Sequence, residues 1–160
     1  MQLNILDAID QRIIEKLTAD ARLPISSLAK DLKVSNTLVH QRLKKLFEKK
    51  ILQKASFKIE PSTLGYETAA YTQIKIDSYG LRREIEQEVR AIPEIVECVN
   101  ISGEFALLVK IYAFNNRHLR DIIYDKIQTI KGVSTTNTIV AFETNFVRNV
   151  PLEINWDNKS

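Results

Sequence analysis

Apolar positions recur in two different rhythms along this chain, and the rhythm changes near residue 61. In the first stretch they return every third or fourth residue, the spacing of one face of an α-helix. Leu6, Ile9, Ile13 and Leu17 make such a stripe in "ILDAIDQRIIEKLTAD", which stops near "ADAR". Pro24 suits a helix start, and Ile25, Leu28, Ala29 and Leu32 supply the inner face of a second helix. The joint "KVS" is short, and Ser35 or Asn36 can cap a third helix by accepting a backbone N–H bond. That helix has Val39, Leu43, Leu46 and Phe47 on its apolar side and ends around Lys49–Lys50. Next, Ala55, Phe57 and Ile59 alternate with Ser56, Lys58 and Glu60, which predicts a strand or wing. "PSTLGYE" follows, with Pro61 and Gly65 close together as in a linker.

From Glu67 onward strands and helices interleave. "TAAYTQIKID" alternates as a strand, and "LRREIEQEVRAI" returns to helical spacing through Leu81, Ile85, Val89 and Ile92. "EIVECVNIS" and "EFALLVKIYA" read as two strands joined at Ser102-Gly103, an antiparallel hairpin. A helix built on Leu119, Ile122, Ile123, Ile127 and Ile130 follows and closes at Gly132, and "VSTTNTIVAFETNF" is a last strand. The order β-α-β-β-α-β is the ferredoxin-like arrangement, an antiparallel sheet with both helices on one face. In the tail, Val150, Leu152, Ile154 and Trp156 alternate, but Pro151 argues against a central strand, which leaves an edge strand or an arm. The expected organisation is therefore α+β. Residues 1–60 form a winged helix-turn-helix of three helices, 61–66 a linker, 67–146 the ferredoxin-like domain, and 147–160 the edge strand or arm.

Composition narrows the setting. An apolar fraction of 44% over 160 residues can supply a core. No apolar run reaches the roughly 18–20 residues that span a bilayer. The start "MQLNILDAIDQRI" lacks the basic opening and small-residue cleavage site of a secretory signal. Cys98 is the single cysteine, without a disulfide partner or companions at metal-ligand spacing, and its alternating position suggests a core residue. A reducing cytoplasm with no membrane attachment is expected. The four glycines form no phosphate-binding loop, no helix carries H-E-x-x-H, and His40 and His118 are far apart. These absences argue against an enzyme, a metal site or a cofactor.

Net charge is only +3, but residues 1–60 hold 12 Lys and Arg against 7 Asp and Glu, while the rest hold 11 against 13. A basic head on a mildly acidic body suits a polyanionic partner, although a solvated lysine-rich face gives the same count. Three helices with a tight joint before a basic polar helix have the layout of a DNA-binding helix-turn-helix. The major groove of B-DNA admits one α-helix, whose N-terminal side chains reach base edges. Asn36 and Gln41 can each pair with adenine, Thr37 can meet a thymine methyl or a phosphate, and His40 can donate to a purine acceptor. Lys44, Lys45 and Arg42 can hold phosphates, and Arg42 can alternatively bridge to an acidic neighbour such as Asp31.

The stretch "LDAIDQRIIEKLTADARLPISSLAKDLKVSNTLVHQRLKKLFEKKIL" resembles the DNA-binding domain of the Lrp/AsnC regulators. Its landmarks are Leu6-Asp7 and Asp10, Asp20 and Arg22, Leu28-Ala29, Val34-Ser35 at the turn, and Arg42 with Leu46. The second half resembles that family's ligand-sensing domain, with "NISGEFALLVK" at its Ser-Gly-Asp-Tyr/Phe-Asp hairpin. The resemblance implies a DNA-binding transcription regulator of double-stranded DNA that forms a homodimer and often a tetramer or octamer. It also implies an amino acid or other small metabolite held where dimers meet. Ser35 joins the DNA-facing set through it. Ser102, Gly103, Glu104, Ala106, Thr136, Asn137 and Thr138 fall at the positions corresponding to the effector pocket. Ala106 departs from the family's second hairpin acid and offers no group to hold an α-ammonium. That departure keeps open a nucleoid-type architectural protein without effector response. A metabolite-binding subunit whose N-terminal helices bind protein is a further alternative.

Overall fold

The computed structural model describes residues 6–152, which divide into two compact units. One takes the chain up to Phe57 together with Val147 onward, and the other is Lys58–Phe146.

The first unit holds α1 (Ala8–Ala19), α2 (Ile25–Leu32) and α3 (Asn36–Glu48). Two acids open α1 reciprocally. The Asp7 carboxylate accepts the Asp10 N–H at 2.8 Å, and the Asp10 carboxylate accepts the Asp7 N–H at 3.4 Å. This satisfies two backbone donors that have no partner within the helix. α2 starts behind Pro24 and ends at Lys33, whose left-handed backbone (φ 55°) lets the Val34 N–H reach the Ala29 carbonyl at 3.0 Å. Ser35 then caps α3 by accepting the Leu38 N–H at 3.2 Å, which settles the choice between Ser35 and Asn36. Ile13, Ile14, Leu28, Ala29, Val39 and Leu46 form the core, with Leu17, Leu32 and Leu43 packed around it. Phe47 is not in that core. It is 46% exposed, because the inner stripe already runs through Val39, Leu43 and Leu46 and leaves the next position at its edge.

One flanking expectation is corrected, and another is narrowed to one of its two alternatives. Residues 53–60 carry no regular secondary structure, so the strand expected from Ala55, Phe57 and Ile59 does not form. A strand needs a neighbour for its backbone groups, and no described strand pairs with this stretch. Phe57 is 81% exposed, its ring facing the Arg22 guanidinium 4.8 Å from the centroid. The tail is an arm rather than an edge strand over its described part. It has no ladder partner, and Leu152 packs against the helical core. Ile154 and Trp156 lie outside the described residues.

The second unit has the expected order: β1 (Thr68–Ile76), α4 (Arg82–Arg90), β2 (Ile95–Asn100), β3 (Leu107–Ala113), α5 (Asn116–Asp121) and β4 (Val133–Ala141). The sheet order is β2-β3-β1-β4, with every neighbouring pair antiparallel. Period-two alternation sorts its faces. Ala70, Thr72 and Ile74 lie opposite Ile111, Val109 and Leu107, and all of them are buried with Ile85, Val89, Leu119, Ile122 and Ile127. Thr72, fully buried, meets the Thr138 hydroxyl at 2.9 Å, and Thr68 on the same face donates to Asn116 at 3.4 Å, so both buried hydroxyls of β1 are satisfied. The other face carries Tyr71, Gln73 and Lys75 of β1 with Leu108, Lys110 and Tyr112 of β3.

α5 runs on into a π-helical segment, Ile122–Ile127. An ordinary helix would turn Ile122 and Ile127 away from each other. The wider π turn keeps both at 0% exposure. Three expectations shift here. The β2–β3 joint spans Ile101–Ala106 rather than a tight Ser102-Gly103 turn, and Gly103 takes the left-handed region at φ 106°. β4 stops at Ala141, short of Phe146. Cys98 is exposed, because β2 is an edge strand and not an inner one. Among the described residues, no helix is long and apolar enough to cross a membrane.

Candidate nucleic-acid interface and effector groove

α3 is held by its inner stripe and presents the rest. Ser35, Asn36, Thr37, His40, Gln41, Lys44 and Lys45 are all exposed. Thr37, His40, Gln41 and Lys44 follow helical spacing, so they lie along one line opposite Val39 and Leu46. Among the described residues, the side chains of Asn36, Thr37, His40, Gln41 and Lys45 have no protein partner. Lys44 makes only a 3.9 Å approach to Glu48. Amides, a hydroxyl, an imidazole and ammonium groups therefore stand free on one helix face, able to donate and accept towards a partner.

Arg42 behaves differently. Its guanidinium pairs with the carboxylates of Asp7 and Asp10 on α1, while Asp31, the neighbour offered from sequence, is taken by Lys16 at 2.8 Å. Asp10 is only 4% exposed, and a buried carboxylate requires a cation beside it. The Asp10 N–H bond chiefly, with Arg42 next, holds the Asp7 carboxyl below its ordinary pKa. Arg42 thus fastens α3 to α1 through its Nη1.

The effector positions do not converge. Ser102, Gly103 and Glu104 are exposed on the β2–β3 joint, and Glu104 pairs with Lys75 at 2.9 Å. Ala106 is 5% exposed, belongs to the core, and donates its N–H to the Ile74 carbonyl at 3.0 Å. Asn137 turns to the open sheet face, where its amide donates to Gln73 at 2.9 Å. Thr136 and Thr138 point to the opposite, helix-bearing side.

There they border a groove of about 370 Å³ between β4 and the α5 segment. Asn116, Arg120, Tyr124 and Gln128, at every fourth position, form its helical rim, Thr136, Thr138 and Val140 its strand rim, and Leu119 and Ile123 its apolar floor. Gln128 spans it, donating to the Thr136 hydroxyl at 2.7 Å. The helical rim was missed from sequence because the apolar positions of that helix claim attention first. The four-residue recurrence of polar side chains was the available signal.

Other clusters are structural. Glu94 receives Lys126 at 2.7 Å and His118 at 3.3 Å, tying the α5 segment to the start of β2. Burial alone pushes its carboxyl pKa up, yet Lys126 and its other bonds bring it below the ordinary value. The Cys98 thiol is pushed up by desolvation and by the Glu86 carboxylate, the reverse of an activated nucleophile. Among the described residues, no group of three His, Cys, Asp or Glu could hold a metal ion.

The AsnC-type helix-turn-helix domain matches residues 6–46, and the Lrp/AsnC ligand binding domain matches residues 69–150. The HTH-type transcriptional regulator PH1916 of Pyrococcus horikoshii is 37% identical over 142 residues, covering 88% of this chain and 95% of that protein. The HTH-type transcriptional regulator FL11 of Pyrococcus furiosus is 32% identical over 139 residues, covering 87% and 91%. The solved structure of E. coli AsnC is similar with a TM-score of 0.84 at 25% identity, covering 91% of this chain and 97% of that one. Both halves match in the order in which the chain presents them. The chain belongs to the Lrp/AsnC family: it is a DNA-binding transcriptional regulator and not an enzyme.

Proposed function

We propose that this regulator acts in the cytoplasm as a homodimer or larger assembly that places α3 of each copy in the major groove of a pseudo-palindromic site. Asn36, Thr37, His40 and Gln41 read base edges, and Ser35, Lys44 and Lys45 hold phosphates. The unpartnered polar line along α3 carries this reading, because a face without protein partners at a helix N-terminus is what a groove requires. A two-fold pair sets half-sites about 34–36 Å apart, or a multiple of it. The copies pair through the uncovered sheet face, where Ile139 is 57% exposed and Val99 38%. Lys110 lies on that face between the rings of Tyr71 and Tyr112, 5.6 and 5.2 Å from their centroids. Substituting Ile139→Lys is expected to shift the protein towards the monomer in light scattering, and an unchanged mass would move the interface elsewhere.

The second unit holds an amino acid or related small metabolite, and binding shifts the assembly only through unequal affinity for its states. Ala106, with no charge or hydrogen-bonding side chain, favours a second reading, an architectural DNA-binding protein without effector response. Competition in a band-shift assay separates the two. A sequence-specific regulator resists scrambled competitor duplexes, and equal competition by every sequence leaves only the architectural reading. Within the same assay, Gln41→Ala is expected to relax preference at one base position by about 1–3 kcal/mol, as loss of a bidentate contact does. An unaltered preference would return Gln41 to the solvated face.

A further inference from the structure

We propose that the groove between α5 and β4 takes a small carboxylic acid without an ammonium group, a 2-oxo or 2-hydroxy acid with a short apolar side chain. The proposal rests on reading the second unit as the effector-binding one. The groove's volume, about 370 Å³, lies at the small end of the range for small-molecule sites, so it suits a single short acid. Its lining points to the class. Arg120 lines it, with its charge shared by the Asp121 carboxylate outside the lining, and no carboxylate is among the lining residues, so an α-ammonium has no acceptor of its own there. Glu104, the acid that the hairpin offers, pairs with Lys75 at 2.9 Å and is not among the lining residues.

The donors are arranged for an acid. Asp121, outside the lining, takes Nε and Nη2 of Arg120 at 3.0 and 2.6 Å through one oxygen. That pair engages Nε and Nη2 and leaves the Nη1 edge for a ligand carboxylate. Thr136 accepts from Gln128, so its own O–H remains to donate to a 2-oxo or 2-hydroxy oxygen. Asn116 accepts from Thr68 at 3.4 Å, which leaves its amide N–H groups as donors too. Leu119 and Ile123 supply the apolar floor for a short side chain.

The test is thermal unfolding of the full-length protein with pairs matched except at C2: 4-methyl-2-oxopentanoate and 2-hydroxy-4-methylpentanoate against L-leucine, and pyruvate against L-alanine. A ligand that binds only the folded state must raise its apparent Tm. The expected result is a concentration-dependent rise with at least one oxo or hydroxy acid and none with its amino-acid counterpart. Arg120→Gln and Thr136→Val are each expected to weaken that response at least tenfold, with the ligand-free Tm serving as the check on folding. Stabilisation by the amino acids alone overturns the acid class and leaves the effector reading standing. Stabilisation by neither class, with DNA retardation intact in the same preparation, overturns both. An undiminished response in both variants overturns the groove as the site.

Discussion

Replacing Lys44 and Lys45 together by alanine is expected to weaken binding to every duplex alike, specific or scrambled, and to flatten the salt dependence. Each phosphate contact releases condensed counterions, contributing about 0.9 to the slope of log K against log salt. Losing two should lower the slope by nearly 2 and, near 0.1 M salt, cost on the order of 10–100-fold in affinity. Folding should be unaffected. The Lys44 side chain is 78% exposed and its approach to Glu48 is a long surface pair worth little. Fluorescence anisotropy with one specific and one scrambled duplex, each over a salt series, reads both effects at once. An unchanged slope would take the two lysines off the backbone. A loss confined to the specific duplex would make them base readers, the opposite division of labour from Gln41.

The parts of this protein legible in the sequence were those fixed by local periodicity. Val39 with Leu46 announced the inner side of α3, and the alternation of "TAAYTQIKID" announced a strand, whose inward Ala70, Thr72 and Ile74 are, like Val39 and Leu46, 0–2% exposed. A period reports which side is apolar, and burial follows once the element has something to pack on. Phe57 and Ile59 alternate equally well, yet no described strand lies beside them, so the pattern had nothing to pair with. Cys98 failed for a related reason. Alternation could not tell that β2 would be an edge strand.

The candidate site divides along the same line. The exposed face of α3 lies on one helix, so spacing alone placed Thr37, His40, Gln41 and Lys44 together. The groove needs two elements far apart in sequence. Thr136 and Thr138 were singled out while Arg120 and Tyr124, across the groove, were not, because only the sheet and the π turn bring them opposite. Asn137 was grouped with its neighbours by position, and strand geometry turns it to the other face. Ala106 shows the converse. In the sequence it stands out as a departure from the family's hairpin acid, and its burial in the core at the head of β3 could not be read from spacing.

Arg42→Met is expected to destabilise the helical unit by about 2–3 kcal/mol. The methyl-thioether stem fills much of the space of the arginine stem, so the loss is mainly one of charge. Asp10 then stays nearly buried with only the 3.4 Å bond from the Asp7 N–H to meet its charge. Removing that charge as well, by Asp10→Asn in the Arg42→Met background, should recover most of the loss. A double-mutant cycle in urea unfolding measures the coupling. Acid adds an independent arm. The folded-state Asp7 pKa is lowered from 3.8, so its contribution is complete above that value and disappears as pH falls through the lowered one. Without Arg42 one of the lowering influences is gone, and the acid transition of the helical unit should move to higher pH, the Asp10 and Ile9 N–H bonds retaining the remainder. Equal stability of Arg42→Met and the parent, with an unmoved acid transition, would mean that Arg42 is not the fastening between α3 and α1. It would then be free to join Lys44 and Lys45 on the DNA backbone.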